Sequence, residues 1–260
     1  MSHQAELFEI AEYGGHMARI IDCTMIVSNK TWRGPWKVDI STRSGNRIDF
    51  ENIMLKELSS TLHFSAHCAT HIDSPRHRIC DGPTMDELPI DRCFGDAAVV
   101  DLVDKGELEP ITAGDLEQRG KHVREGDIVL LRTAWTERNA GGDCENMEGL
   151  PLTLDYWKGP YPTRSMAEWM VHKKVKAVGF DGPNDVVNLK GMEYECTHLG
   201  SYRKKIEDQV VHIIHLANGI LQIEYLCNLT RIKKDRVTFF AVPLKIKAEA
   251  SPIRAFAIEE

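Results

Sequence analysis

Short apolar or β-branched runs recur along the chain at Arg19 to Ile26, Ala97 to Val103, Asp127 to Thr133, Lys176 to Phe180, Gly219 to Ile223 and Arg236 to Val242. Each has the length and residue type of a strand. Helical periodicity fills the gaps. Thr112 to Arg119 opens on an N-cap Thr112 with Asp115 three residues on, Ser165 to Lys173 starts in the same way with Glu168, and Tyr202 to Asn218 gives a longer candidate. Strands interleaved with helices predict a mixed α/β domain rather than an all-helical or all-β one. No repeat, low-complexity tract or linker divides residues 1–260, so a single domain is expected. One stretch breaks the rhythm: Glu137 to Pro162 holds Gly141, Gly142, Gly149, Pro151, Gly159, Pro160 and Pro162 and reads as a long loop excursion.

Composition narrows the class of function. The 260 residues carry 32 basic and 39 acidic side chains, a net charge of −7, which opposes nucleic acid or an anionic membrane as partner. The longest uncharged stretch, Gln209 to Ile223, contains two His, an Asn and two Gln and is too short to span a bilayer. The first 15 residues carry Glu6, Glu9 and Glu12 where a secretory signal has basic residues, which leads to the expectation of a cytoplasmic protein. Seven dispersed Cys with no C-x-x-C fit reduced thiols better than disulfides or a Cys-based zinc module.

The chemistry is concentrated in His63 to His77. Four of the 11 His fall in these 15 residues, where an even spread would place about 0.6, with Asp73 among them. Imidazole and carboxylate are the ligands of borderline divalent metals, and His71 and Asp73 would share one face of a strand about 6.5 Å apart. His67 would lie some 13 Å from His71 on a straight strand. The chain must therefore tighten between them, and Pro75 then favours a bend that aims His77 back. His63 reads as an ordinary surface or core histidine. Cys68 beside the cluster suggests a Cys/His nucleophile, but such pairs come from separate segments. A second ligand source is Val211 to Glu224, where a helix stops at Gly219 and a strand follows. A helix–turn–strand hairpin could return Glu224 to His212, with His215 as the competing helix position.

The segment His67-Cys68-Ala69-Thr70-His71-Ile72-Asp73-Ser74-Pro75-Arg76-His77 resembles the H-x-G-T-H-x-D-x-P-x-H motif of the cyclase family of metal-dependent hydrolases, which includes bacterial kynurenine formamidase and isatin hydrolase. Only Ala69, in place of Gly, departs from it. The likeness continues through Gly126 to Thr133, Val178 to Asp181, His212 with Gly219 and Glu224, Pro243 to Ile246 and Pro252 to Arg254. It implies a β-barrel-like core flanked by helices, of the swivelling β/β/α type. The resemblance further implies a divalent metal, Zn²⁺ first and Mn²⁺ second, as one or two ions held by His67, His71, Asp73, His212 and Glu224. His77 takes the role of proton donor and acceptor, and Trp36 or Trp32 that of substrate contact, while Phe64 and Trp135 read as core. The implied activity is hydrolysis of a C–N bond in a small aryl formamide or cyclic amide, in a homodimer or homotetramer. Lactone or imide hydrolysis, a metal-dependent dehydratase or cyclase, and a metal-stabilised binding protein are the alternatives. A closed structural zinc site fits poorly, because such sites have four ligands and favour Cys. If the motif's turn needs positive φ, Ala69 must be accommodated locally.

Overall fold

The computed structural model describes residues 9–13, 16–30, 38–139, 156–185 and 209–260. Fourteen strands occur among them: β1 (Glu9–Tyr13), β2 (His16–Asp22), β3 (Asp39–Phe50), β4 (Ile53–His63), β5 (His71–Asp73), β6 (Phe94–Asp101), β7 (Pro110–Ile111), β8 (Ile128–Arg132), β9 (Tyr161–Pro162), β10 (Ala177–Phe180), β11 (Leu221–Glu224), β12 (Arg236–Phe240), β13 (Ala250–Pro252) and β14 (Phe256–Glu259). Four helices accompany them: α1 (Ala113–Arg119), α2 (Trp135–Asn139), α3 (Arg164–Lys173) and α4 (Val210–Ala217).

Ten strands form one curled, half-barrel sheet in the order β1-β2-β14-β12-β6-β8-β10-β11-β5-β13. The four strands β6, β8, β10 and β11 are mutually parallel, and the strands on either side of them pair antiparallel. A helix lies in each crossover between the parallel strands: α1, α3 and α4. The parallel strands are buried on both faces over Ala97 to Val100, Ile128 to Leu131 and Ala177 to Phe180, which is why these stretches are unbroken apolar runs. Ile128, Leu130, Ala177, Leu221 and Ile223 join one core with Ile72, Val237 and Phe239. Their neighbours Val129, Leu131, Val178 and Phe180 meet the helices through Leu116, Met166, Met170 and Val211. The mixed α/β, barrel-like expectation holds.

Several boundaries move. The first run is strand only to Asp22, because Cys23 turns to bond the carbonyl of Ala255 and Met25 bonds Thr70. The second strand starts early at Phe94, the run from Arg236 ends at Phe240, and the strand after Gly219 runs from Leu221 to include Glu224. The capping box at Thr112 and Asp115 forms as read. The next helix is capped by Thr163, not Ser165: Thr163 Oγ1 also donates to the carbonyl of Ile111, a tertiary contact that fixes the start two residues earlier. The long helix candidate is described only from Gln209 on, as α4. The loop excursion carries structure at both ends, in α2, a 3₁₀ turn at Tyr156–Lys158 and β9, while residues 140–155 lie outside the described residues. The long hairpin β3–β4, which the hydrophobic pattern does not predict, forms a sheet of its own. Among the described residues no helix is long and apolar enough to cross a membrane.

Candidate metal centre

At the C-terminal ends of the parallel strands, three segments converge. Pairing of β11 with both β10 and β5 sets Glu224 opposite His71 and Gln222 opposite Asp73. The α4 helix precedes β11 through a turn at Gly219, whose φ of +71° suits glycine, and carries His212 to the same place. The stretch 65–70 tightens in a turn in which Cys68 N donates to the carbonyl of Ser65. Thr70 pins that turn, its Oγ1 donating to the carbonyl of Tyr225 while it accepts from Met25 N. Beyond Asp73 the chain enters a 3₁₀ turn at Pro75–His77 that points His77 back.

Asp73 is the centre of the cluster. It is fully buried, and neither carboxylate oxygen receives a hydrogen bond. Four imidazoles surround it instead: His67 Nδ1 at 3.1 Å and His71 Nε2 at 3.5 Å from Oδ1, His77 Nε2 at 3.5 Å and His212 Nε2 at 3.9 Å from Oδ2. Glu224, also buried, places Oε1 2.9 Å from His212 Nε2 and Oε2 3.4 Å from His71 Nε2. Two groups, His67/Asp73/His77 and His71/Asp73/Glu224, hold their ligand atoms within 4.8 Å of one another and share Asp73. A buried carboxylate without donors is costly unless a cation compensates it. The donor set of imidazole nitrogens and carboxylate oxygens is one a divalent metal takes.

The outward side of three rings gives the same picture. His71 Nδ1 donates to the carbonyl of Ala69 at 2.8 Å, His212 Nδ1 to Asp185 Oδ2 at 2.7 Å, and His67 Nε2 to Glu249 Oε1 at 3.1 Å. Carbonyl and carboxylate oxygens can only accept, so each contact fixes a proton on the outer nitrogen and turns the inner one towards Asp73. His77 differs, since its Nδ1 has no partner among the described residues.

The charges match this arrangement. Burial works against the imidazolium of His212, but the hydrogen bonds it donates to Asp185 and Glu224 outweigh it and lift the group to about 9. Burial likewise opposes charge on His67, and Asp73 overcomes it to raise the group. Asp73 is held well below the usual carboxylate range: burial raises it, yet His67, His71 and His77 prevail. For Glu224, burial and Asp73 push up while His212 and His71 pull it lower overall. His77 is brought down to about 3, chiefly by burial, although Asp73 opposes the shift. Protons on His67 and His212 thus occupy positions a cation can take.

The structure brings together His67, His71, Asp73, His77, His212 and Glu224. Trp32 and Trp36 lie outside the described residues. His63 is exposed at the end of β4. His215 is buried and its Nδ1 accepts from Gln222 instead. The Cys68 thiol is buried and pushed up to about 11, unsuited to a nucleophile. Trp135 is core and Phe64 packs beside it, as read. Two residues went unread, Asp185 and Glu249. Asp185 sits five residues past the apolar run that ends at Phe180. Glu249 looks like one charge in an alternating Lys245, Lys247, Glu249 series, and only the pairing of β13 with β5 brings it to His67.

The curled α/β half-barrel thus holds a candidate site for a divalent metal, a His/Asp/Glu cluster around a buried carboxylate that accepts no hydrogen bond. The model of the putative cyclase family matches residues 21–184, and the chain belongs to that family. It is 27% identical over 241 residues to the kynurenine formamidase of Salinibacter ruber, covering 91% of this chain and 95% of that one. A Haemophilus influenzae protein of uncharacterized function is 48% identical over 116 residues, 44% of this chain and 75% of its own. An isatin hydrolase bound to the product analogue thioisatinate shares the fold with a TM-score of 0.69 at 22% identity, covering 93% of this chain and 92% of the other.

Proposed function

We propose that the protein is a metal-dependent hydrolase that cleaves the C–N bond of a small aryl formamide or cyclic amide. The observation that carries this reading is Asp73, buried without a hydrogen-bond donor inside a ring of four imidazoles, three of which have their outer nitrogens held by acceptors. In the proposed assignment His67, His71, Asp73, His212 and Glu224 would hold one or two divalent ions, zinc first and manganese second, with Asp73 common to both candidate groups. A bound divalent cation supplies Lewis acidity, which makes water a nucleophile at neutral pH and polarises a carbonyl. His77 stands apart from the ligands in having no acceptor behind it and in being neutral at pH 7. A neutral imidazole beside the cluster can take the proton of attacking water and pass it to the departing nitrogen. Trp36 and Trp32 remain the proposed substrate contacts. The substrate class follows the names of the relatives, kynurenine formamidase and isatin hydrolase.

The test is metal analysis of the purified protein joined to a hydrolysis screen of N-formylkynurenine, isatin, cyclic imides and aryl lactones. Turnover of an amide that disappears on chelation and returns with Zn²⁺ or Mn²⁺ supports the reading. Hydrolysis that survives exhaustive metal removal overturns it, and preference for lactones reassigns the scissile bond. His77→Ala should keep its metal while kcat falls about 10² to 10⁴-fold. Metal loss in that variant would make His77 a ligand.

A further inference from the structure

Arg78 follows His77 directly and has no part in the metal cluster. The turn that aims His77 also holds Arg78: Arg78 N and Ile79 N both donate to the carbonyl of Pro75, at 3.1 and 2.9 Å. The loop beyond is closed by Arg76 N, which donates to the carbonyl of Pro83 at 3.3 Å. Gly82 lies so close to Pro75 that a Cβ there would come within 2.7 Å of its carbonyl carbon. The backbone under Arg78 is therefore set before any ligand arrives.

Its side chain is less well served. Arg78 is half-buried, its Nη1 donates to the carbonyl of His77 at 3.2 Å, and its Nε is buried without a hydrogen-bond partner. Asp73, Glu224 and Asp185 act on the guanidinium through their charge, which puts it on the side of the cluster, yet no carboxylate of the described residues forms an ion pair with it. Three other part-buried arginines each have one: Arg236 forks onto Asp127 at 2.7 and 2.9 Å, Arg132 reaches Asp101 at 2.8 Å, and Arg19 reaches Glu259 at 2.5 Å. A guanidinium withdrawn from water without a counter-ion is costly. A cation in the cluster would engage Asp73 and Glu224, leaving Arg78 with less opposing charge still.

We propose that Arg78 anchors a carboxylate on the substrate, so that the preferred aryl amide carries an anionic group near its scissile bond. The proposal rests on the hydrolase reading and deepens it by naming the substrate class. The guanidinium fork matches the two oxygens of a carboxylate, and Nε–H with one Nη–H makes one of its bidentate faces. Nε is the donor left open here. Arg78 and His77 are consecutive on one fixed turn, so an anion held on the fork keeps the rest of the substrate beside the imidazole that serves the departing nitrogen. A neutral ring leaves the same donor unmatched, which selects against it.

The experiment compares 2-formamidobenzoate with formanilide, the same amide without the carboxylate, on the metal-loaded wild type and on Arg78→Gln, with circular dichroism to confirm folding. The ratio of kcat/KM for 2-formamidobenzoate to that for formanilide should fall about 10- to 100-fold in the variant, and the change should be carried by KM. Arg78→Lys, which keeps the charge but has no fork, should fall between the two. A ratio within about threefold of wild type, or a change confined to kcat, overturns the proposal. Titration calorimetry with the product 2-aminobenzoate separates the anchor from the catalytic reading. If neither amide is hydrolysed, that reading fails and calorimetry alone judges Arg78: binding at least about threefold weaker in Arg78→Gln supports the anchor, and a smaller change, or no binding by the wild type, refutes it. If Arg78→Gln does not fold, Arg78→Lys is judged by the same titration and the same criterion.

Discussion

Asp185 offers a sharp test of how the cluster is oriented. Its Oδ2 accepts His212 Nδ1–H at 2.7 Å and His212 N–H at 3.2 Å, and its Oδ1 accepts Val211 N–H at 3.0 Å. An ionised carboxylate can receive all three donors, whereas the amide of Asp185→Asn must present its NH₂ to a donor in either orientation. The variant therefore loses a charge-assisted bond of about 1.5–3 kcal/mol and leaves a buried donor unmatched. Removing the partner behind a metal-ligating histidine typically lowers metal affinity about 10–100-fold. Glu249→Gln is the internal comparison. Its carboxylate is 42% exposed and 3.1 Å from His67, so its loss is worth at most about 1 kcal/mol, or roughly fivefold. Competition of each apoprotein against a calibrated chelator for Zn²⁺ at fixed pH, with melting curves to confirm folding, measures both. Wild-type affinity in a folded Asp185→Asn protein, or an equal loss in the two variants, would refute the claim that His212 is a ligand held by Asp185.

The other predictions concern charge at and away from the cluster. Glu224→Gln keeps size and one acceptor but removes the charge facing His71 and His212, so metal stoichiometry should fall towards one ion or affinity should drop sharply; if metal titration shows neither, Glu224 is no ligand. Asp115 accepts from Lys105 Nζ, Thr112 N and Thr112 Oγ1, each at 2.8 Å. Burial raises its carboxyl, but Lys105 and the cap hold it below 3.8 overall. A depressed carboxylate contributes its stability in full above about pH 4 and loses it as pH falls through the folded value. Asp115→Asn should thus cost about 1–2 kcal/mol at pH 7 in urea titrations, with the gap narrowing below pH 4; a gap independent of pH would show that only shape matters there.

What the sequence discloses depends on how each segment is buried. Ile128 to Leu131 and Ala177 to Phe180 are legible because burial on both faces leaves no polar residue between breakers. The β3–β4 hairpin is not, for the opposite reason: with both faces exposed it mixes Arg, Ser and Asp with its apolar residues and shows no clean alternation. Its turn is also disguised. Glu51 and Asn52 both adopt positive φ, of 50° and 67°, the conformation of a tight hairpin turn usually marked by Asn-Gly. The site divides along similar lines. The His67 to His77 spacing encodes its own geometry, and the helix stop at Gly219 encodes the return of Glu224. Asp185 and Glu249 reach their histidines only through tertiary placement, which no local spacing records.

Ala69 shows why the motif tolerates its one departure. The residue has φ of +51° and is fully buried, so the turn does require the left-handed region where the family pattern has glycine. That conformation is what aims the carbonyl of Ala69 at His71 Nδ1. For an L-residue it costs about 1–2 kcal/mol. Two effects run the other way: alanine restricts the unfolded chain by about 0.4–1 kcal/mol relative to glycine, and its buried methyl contributes about 0.8 kcal/mol. These terms cancel to within their spread, so alanine can occupy the turn without a net penalty and still present its carbonyl to His71. Tyr225, immediately after Glu224, has φ of +55°, and Ala134, whose N–H bonds Asp181, has +59°. Strain of this kind at non-glycine residues persists where surrounding contacts over-determine the backbone. Here those contacts are the hydrogen bonds that Thr70, Asp181 and His71 make to these same turns.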